Sequence, residues 1–387
     1  MTILMLVTVN ALACFVLLYS FVYTEHYPKR ALFYGLFLSM LAGINGVILA
    51  NELIWLFMAL EVASLSAYGL VAFGGEKPRL EAALKYFVMG ELASLTILLG
   101  MGLIHHKIAA YLFIIGFGVK AALFPLHLWL PDAHSAAPSP VSAMLSGVVI
   151  KVLGVYALWR TIGFYPPTLG LLSVLGVLSI LYGGFLAIRQ WDMKRLMAYS
   201  SISQVGYIVL GLSLATPLGI AGALFHLFNH AFMKGLMFLT AGAVEQKCGT
   251  RDLRELGGLR EKMPVTAFSS LLGSLAMSGI PPFNGFWSKL FIILACVQVG
   301  RFWFAVAAIV GSILTMAAFL KMQRYAFFSA PRASLQEVKE VSWIMALPML
   351  CLGLLCLGIG IFFPTVTGRL INPAVLALLK MKGFFAL

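Results

Sequence analysis

Residues 119–134 read VKAALFPLHLWLPDAH. The stretch is an apolar run with an amine at Lys120, a proline five residues on at Pro125, and a polar tail carrying His127, Asp132 and His134. What an ammonium is doing in such a run depends on whether the run lies in lipid, and the rest of the chain answers that. The 387 residues are 61% hydrophobic and 11% charged, with 29 Phe and 37 Gly, well outside soluble globular usage. A membrane-spanning helix needs about 20 mostly apolar residues, and runs of that size recur between short polar breaks. The fold class that follows is an all-α polytopic membrane protein of about 12 transmembrane helices. They fall near 2–23, 30–50, 52–73, 81–103, 108–130, 139–160, 167–189, 194–215, 218–246, 263–299, 302–328 and 341–363. The tenth run is too long for one straight helix and reads as two half-helices meeting at Pro281 and Pro282. A last stretch, 369–387, is short and carries basic residues, and reads as an interfacial segment.

The net charge of +13 follows a topological rule and does not point to nucleic acid. Loops after odd-numbered helices hold Lys29, Arg30, Lys77, Arg79, Lys194, Arg195, Arg251, Arg254 and other cations, whereas loops after even-numbered helices hold only Lys107, Arg160 and Arg301. The positive-inside rule makes the first set cytoplasmic and puts both termini on the outer side of a cell inner membrane. The first run has no basic flank before it and reads as a retained helix, not a cleaved signal peptide. Four of the five cysteines lie in apolar runs, Cys248 lies in a loop, and no C-x-x-C pair occurs, so neither a disulfide framework nor a metal or iron–sulfur site is indicated. No phosphate loop or dinucleotide fingerprint is present. The expectation is no cofactor, with any redox chemistry belonging to a partner.

Eight ionisable residues remain inside the spans: Glu61, Glu91, Lys120, Lys151, His226, His230, Lys234 and Lys289. A charge at a helix centre costs about 2.5–3.5 kcal/mol even on the lenient insertion scale, so each needs a partner, a wet cavity or neutralisation. Helical spacing turns them toward small or polar faces: Gly116 lies one turn before Lys120, Gly147 and Gly154 flank Lys151, and Gly285 precedes Lys289. Lys234 shares a stripe with His226 and His230, and Glu61 with Ser64 and Tyr68. Blander readings stand beside this. Lys234 and Lys289 could snorkel to the interface, Glu61 could satisfy a neighbouring hydroxyl, and Glu91 fits a structural role as well as a transport one. His226 and His230 have the i, i+4 spacing of a metal-binding face, which would make a membrane metalloenzyme. No acidic residue lies near them in sequence, however, and Lys234 one turn on would repel a cation. Burial favours the neutral amine and a nearby carboxylate favours the ammonium, so a carboxylate moving relative to Lys120 would make it take up or release a proton. Glu61 is the candidate carboxylate.

Pro125 interrupts one span and Pro281-Pro282 another, the latter in SGIPPFNGFWSK, which ends on Lys289. Interrupted helices in two halves are the sequence pointer to an inverted-repeat transporter. The expected organisation is 1–50 N-terminal helices, 51–161 a first half-bundle, 162–330 a second half-bundle, each with a proline-broken helix, and 331–387 a C-terminal helix and interfacial segment. Lysine to lysine, the two broken segments lie 169 residues apart (289 minus 120). If the first helix continues past its proline, His127 falls on the face of Lys120 and extends its polar path.

The runs VKAALFPLHLWLPDAHSAAPSPVSAMLSGVVIK, QWDMKRLMAYSSISQVGYIVLGL, LFNHAFMKGLMFLTAGAV and RELGGLREKMPVTAFSSLLGSLAMSGIPPFNGFWSK resemble, in order, the proton-translocating antiporter-like subunits. These occur in respiratory complex I, in Mrp-type cation/proton antiporters and in energy-converting membrane-bound hydrogenases. The resemblance spans about residues 45–330. It implies that Glu61 pairs with Lys120 on the first broken helix, that Lys151 follows, that His226, His230 and Lys234 link the halves, and that Lys289 serves the second broken helix. Family members usually have fourteen helices, so the chain resembles them without the first two, and it shows no long lateral helix at its C-terminal end. Many relatives place an acidic residue after the last lysine, where this chain has Leu290. The implied function is movement of a proton, or exchange of H⁺ for Na⁺, by a non-redox membrane subunit. Its implied partners are other membrane subunits and, through them, a hydrophilic iron–sulfur module. The rival is an Mrp-type secondary antiporter without redox chemistry.

Overall fold

The computed structural model describes residues 1–380, so the part of the expected interfacial segment beyond Lys380 lies outside the described residues. The described residues are helical, with no strand and one isolated bridge between Asp192 and Asp252. The helices used below are α1 Thr2–Tyr23, α2 Arg30–Leu49, α3 Leu53–Val71, α4 Lys77–Gly102, α5 Ile108–Ala121, α6 Leu130–Ala136, α7 Ser139–Ile162, α8 Pro166–Arg189, α9 Met193–Ser213, α10 Pro217–Cys248, α11 Pro264–Ser278, α12 Asn284–Gln298, α13 Phe302–Phe328 and α14 Trp343–Ile361. A short α15, Asn372–Lys380, buries Ala374, Val375 and Leu378. Among the described residues, nine helices are long and apolar enough to cross a membrane, and α5 and α11 are shorter apolar helices.

Proline in the first turn starts α4, α8, α10 and α11, where its missing N–H costs nothing. Thr216 caps α10 by accepting from Gly219 N (3.1 Å), and Asp192 caps α9 by accepting from Arg195 N (2.9 Å). Burial sorts the helices into an inner and an outer set. All of α7 but Arg160 is buried, as are nearly all of α9 and residues 219–244 of α10; a helix apolar on every side and buried on every side is a bundle centre. The outer helices present Ile3, Trp303, Phe302 and Trp343 outward, as a lipid-facing surface does. Small residues set the closest approaches. A Cβ on Gly206 would lie 2.5 Å from Gly176 O, and one on Gly183 2.5 Å from Ser203 N, so α8 and α9 touch backbone to backbone.

Both expected helix breaks are present, and they share one construction. Helix α5 stops at Ala121. Ala122 then takes a left-handed φ of 54°, its N–H donating to Val119 O (3.0 Å) while Leu123 N donates to Gly118 O (2.9 Å). Helix α11 stops at Ser278, Gly279 takes φ 77°, its N–H donates to Ala276 O (3.1 Å), and Ile280 N donates to Leu275 O (3.2 Å). Each is a Schellman close, followed three residues after the left-handed position by a proline in a cis peptide, Pro125 or Pro282. The first break differs from the sequence expectation. The run 108–130 is not a kinked continuous helix but ends at Ala121 and resumes at Leu130, because the Schellman bonds use the last carbonyls and Pro125 has no N–H to carry the ladder on.

Candidate functional site

The first cluster lies where α3, α4 and α5 meet. Lys120, on the last turn of α5, is 7% exposed; its Nζ donates to Ser64 Oγ on α3 (3.0 Å) and lies 3.9 Å from Glu61 Oε1, one turn earlier on α3. Glu61 keeps a second partner, since Ser94 Oγ on α4 donates to the same Oε1 (2.5 Å). The stripe of Glu61 and Ser64 expected from spacing therefore exists, but the serine serves the lysine and a hydroxyl on another helix serves the carboxylate. Gly90 leaves room for the ammonium, its Cβ position lying 3.7 Å from Lys120 Nζ. Gly116 lets α5 pack closely on α4, since a Cβ there would lie 2.8 Å from Ala93 O. Glu91 is half-buried on α4, within electrostatic range of Lys120.

Lys151 sits in the middle of α7, where Leu145–Tyr156 widens into a π-helix. Its Nζ folds back to donate to the carbonyls of Ser146 and Gly147, the latter at 2.7 Å. A π-turn leaves backbone oxygens available in a way a regular α-helix does not, and such widening is frequent at functional sites. Gly154, on the same face, meets Ala121 at 2.5 Å from its Cβ position, so α7 closes directly over the end of the helix that bears Lys120.

The stripe on α10 is fully buried. Lys234 Nζ donates to Met197 O (2.6 Å) and to Ser200 Oγ, both on α9, and its ammonium lies over the rings of Phe238 (6.0 Å) and Phe319 (5.8 Å). His226 Nδ1 shares a hydrogen bond with Ser288 Oγ on α12 (2.9 Å), and its ring stacks 5.8 Å from that of His230. Among the described residues, His226 Nε2 and both nitrogens of His230 have no hydrogen-bond partner. Among the described residues no group of three His, Cys, Asp or Glu side chains is arranged to hold a metal.

Lys289, on α12, donates to Met277 O (2.8 Å) and lies 5.2 Å from the centre of the Tyr207 ring. Neither it nor Lys234 snorkels, since both ammoniums end on buried oxygens inside the bundle. The left-handed positions of the two breaks are 157 residues apart (279 minus 122). In that register Lys120 corresponds to Met277, not to Lys289, which corresponds to Asp132. Yet Lys289 reaches back across its break to the carbonyl of Met277, the position that matches Lys120.

His127 does not extend the Lys120 face. With α5 ended at Ala121, its ring packs on Phe124 (5.7 Å) and Tyr182 (4.8 Å). Residues outside the expected set form an ionic belt at the basic face. Asp132 on α6 is held by Lys85 (2.6 Å) and Arg195 (3.3 Å), Glu245 by Lys194 (2.7 Å) and Arg251 (3.1 Å), and Asp192 by Arg251 (2.5 Å). Burial works against the charge on Arg251, but its two carboxylates outweigh that and hold the guanidinium above its ordinary value. Nearby, the Arg254 side chain hydrogen-bonds Asp252 and holds its carboxyl below the usual range. The PDAH tail was the one signal of this belt in the sequence.

The family described as NADH:quinone oxidoreductase/Mrp antiporter, TM matches residues 50–109 and 104–315 of the chain. NADH-quinone oxidoreductase subunit N of Desulforudis audaxviator is 35% identical over 389 residues, covering 90% of this chain and 77% of that relative. A Na(+)/H(+) antiporter subunit of Alkalihalophilus pseudofirmus is 32% identical over 360 residues, covering 86% of this chain and 73% of that relative. Among solved structures, a chain of the membrane-bound sulfane sulfur reductase, an archaeal respiratory membrane complex, superposes with a TM-score of 0.90 at 31% identity, over 98% of this chain and 82% of that one.

Proposed function

Because the chain belongs to the NADH:quinone oxidoreductase/Mrp antiporter transmembrane family, we propose that its buried side chains form a relay that carries a proton, or exchanges H⁺ for Na⁺. The relay runs from Glu61 and Lys120 through Lys151 and the His226, His230 and Lys234 stripe to Lys289. The observation that carries this reading is the arrangement at Lys120. Its ammonium rests on a neutral hydroxyl at 3.0 Å with a carboxylate waiting at 3.9 Å, so a shift of about an ångström exchanges one partner for the other. A carboxylate at contact stabilises the ammonium and its withdrawal favours the free amine, which turns small helix movements into proton uptake and release. Lys151, Lys234 and Lys289 rest on carbonyl and hydroxyl oxygens, partners that accept from an amine in either protonation state and so leave the proton free to move on.

The same reading takes the protein to be a membrane subunit with twelve crossings, both termini on the outer side of the cytoplasmic membrane, and half-bundles at 51–161 and 162–330. The shared Schellman breaks support two halves. Its energy source is the electron transfer of an iron–sulfur partner module, as the likeness to a chain of a respiratory reductase favours. The likeness to a Na(+)/H(+) antiporter subunit supports a second reading, ion exchange without redox chemistry. Subunits that co-purify with the chain separate the two, since iron–sulfur proteins accompany only the first. In membrane vesicles of the intact assembly, Lys120→Met and Glu61→Gln are expected to abolish pumping while the partner's electron transfer continues; unchanged pumping in both ends the relay.

A further inference from the structure

Ser146 lies in the π-helical part of α7 and Ser201 in α9, and both are fully buried. Their hydroxyls share a hydrogen bond of 2.7 Å in which either oxygen can be the donor. Several hydroxyls in this bundle bond back to a carbonyl of their own helix one turn earlier, as those of Ser66, Ser94 and Ser179 do. The Ser146 hydroxyl differs: among the described residues its one partner is Ser201 Oγ, on another helix. Each serine also stands next to a lysine of the relay. The backbone carbonyl of Ser146 accepts from Lys151 Nζ. Ser201 Oγ donates to Met197 O (2.9 Å), the same carbonyl to which Lys234 Nζ donates (2.6 Å). Direct contacts therefore run from Lys151 through Ser146, Ser201 and Met197 to Lys234.

The Met197 carbonyl is contested. Ser200 Oγ donates to it as well (2.8 Å), so three side chains aim at an oxygen with two lone pairs. A hydroxyl carries one proton, and Ser201 gives its own either to Met197 O or to Ser146 Oγ. A charged donor makes the stronger hydrogen bond. An ammonium at Lys234 therefore holds Met197 O and turns the Ser201 proton toward Ser146, whereas a free amine lets Ser201 return to Met197 O and accept from Ser146. The direction of the serine pair follows the charge at Lys234. When Ser146 accepts, its own proton has to point away from Ser201, which changes the field at the turn that holds Lys151. We propose that Ser146 and Ser201 are positioning residues of the relay, coupling the charge state of Lys234 to that of Lys151 through the direction of their shared hydrogen bond. The inference rests on the relay reading above.

The test uses the intact assembly in membrane vesicles, driven by its own energy source, with proton transport followed by a pH-sensitive dye. Ser201→Ala leaves both lysines and the carbonyls that hold them in place, and is expected to slow transport about fivefold, the scale of one hydrogen bond. Ser146→Ala and the Ser146→Ala/Ser201→Ala double variant are expected to slow it by the same factor and not by its square, because each change breaks the same link. Ser201→Thr keeps the hydroxyl and is expected to transport near the wild-type rate, a rescue that a role in packing alone would not give. Lys120→Met serves as the control. If Lys120→Met is inactive while the alanine variants transport at the wild-type rate, or multiply their losses, or Ser201→Thr loses as much as Ser201→Ala, the coupling is wrong and the relay stands. If Lys120→Met itself transports normally, the relay fails and takes the coupling with it. Should Ser201→Thr not assemble, the cycle of alanine variants decides, because it adds no atoms to the buried site.

Discussion

At the scale of single residues, the balance at Lys120 rests on two serines. Ser64 holds the ammonium 3.0 Å away and Ser94 occupies the Glu61 oxygen that would otherwise draw it in. Ser64→Ala removes the hydroxyl and leaves the carboxylate as the remaining polar partner at this site. The lysine is then expected to settle onto Glu61, slowing translocation roughly fivefold, the equivalent of one ordinary hydrogen bond of about 1 kcal/mol. Ser64→Thr, which keeps the hydroxyl, should translocate near the wild-type rate, and a loss there as large as that of Ser64→Ala would show that the hydroxyl is not what holds the lysine. Glu61 and Lys120 were legible in the sequence because charge in hydrocarbon is expensive wherever it occurs. Ser94 was not, since hydroxyls are common in these helices and only the packing of α3 on α4 selects one of them.

At the scale of helices, the contact that matters most is Gly154 of α7 against Ala121, the residue next to Lys120. A side chain there has no space, and the neighbour on the other side is backbone as well as a methyl group. Gly154→Leu is expected to push α5 away from α7, lowering thermal stability in detergent by several degrees and uncoupling Lys120 from Ser64; a variant as stable and active as the wild type would mean the two helices slide freely. The proline breaks could be read in advance because proline removes a donor whatever surrounds it. The π-helical register around Lys151 could not, as no residue type in LSGVVIKVLGVY demands it. The lysines of the two broken segments lie 169 residues apart, but the breaks themselves are spaced differently. The Schellman closes give an offset of 157, not 169, and the difference of twelve residues (169 minus 157) is spanned by the Lys289 side chain and its bond to Met277 O.

At the scale of the molecule, the basic face is tied together by Arg251, which donates to Asp192 at the start of α9, Glu245 at the end of α10, and Ser135 O on α6. Arg251→Ala removes all three at a cost of about 1–3 kcal/mol, and Arg251→Lys recovers little of it because an ammonium lacks the planar fork that meets several acceptors. A thermal melt of the three proteins in detergent checks this, with equal melting temperatures arguing that the belt is ornamental. In the sequence these cations showed only which way the chain is threaded, because their carboxylate partners come from distant segments. The interior carries the opposite lesson. Lys151, Lys234 and Lys289 each rest on neutral oxygens, and among the described residues none is ion-paired. Two unit charges 10 Å apart at an effective dielectric near 20 repel by roughly 1.7 kcal/mol, so an ammonium formed at one amine discourages a second at the next. In the proposed relay such a row has a built-in occupancy limit and single-file traffic: each newcomer at one end is admitted by a departure at the other.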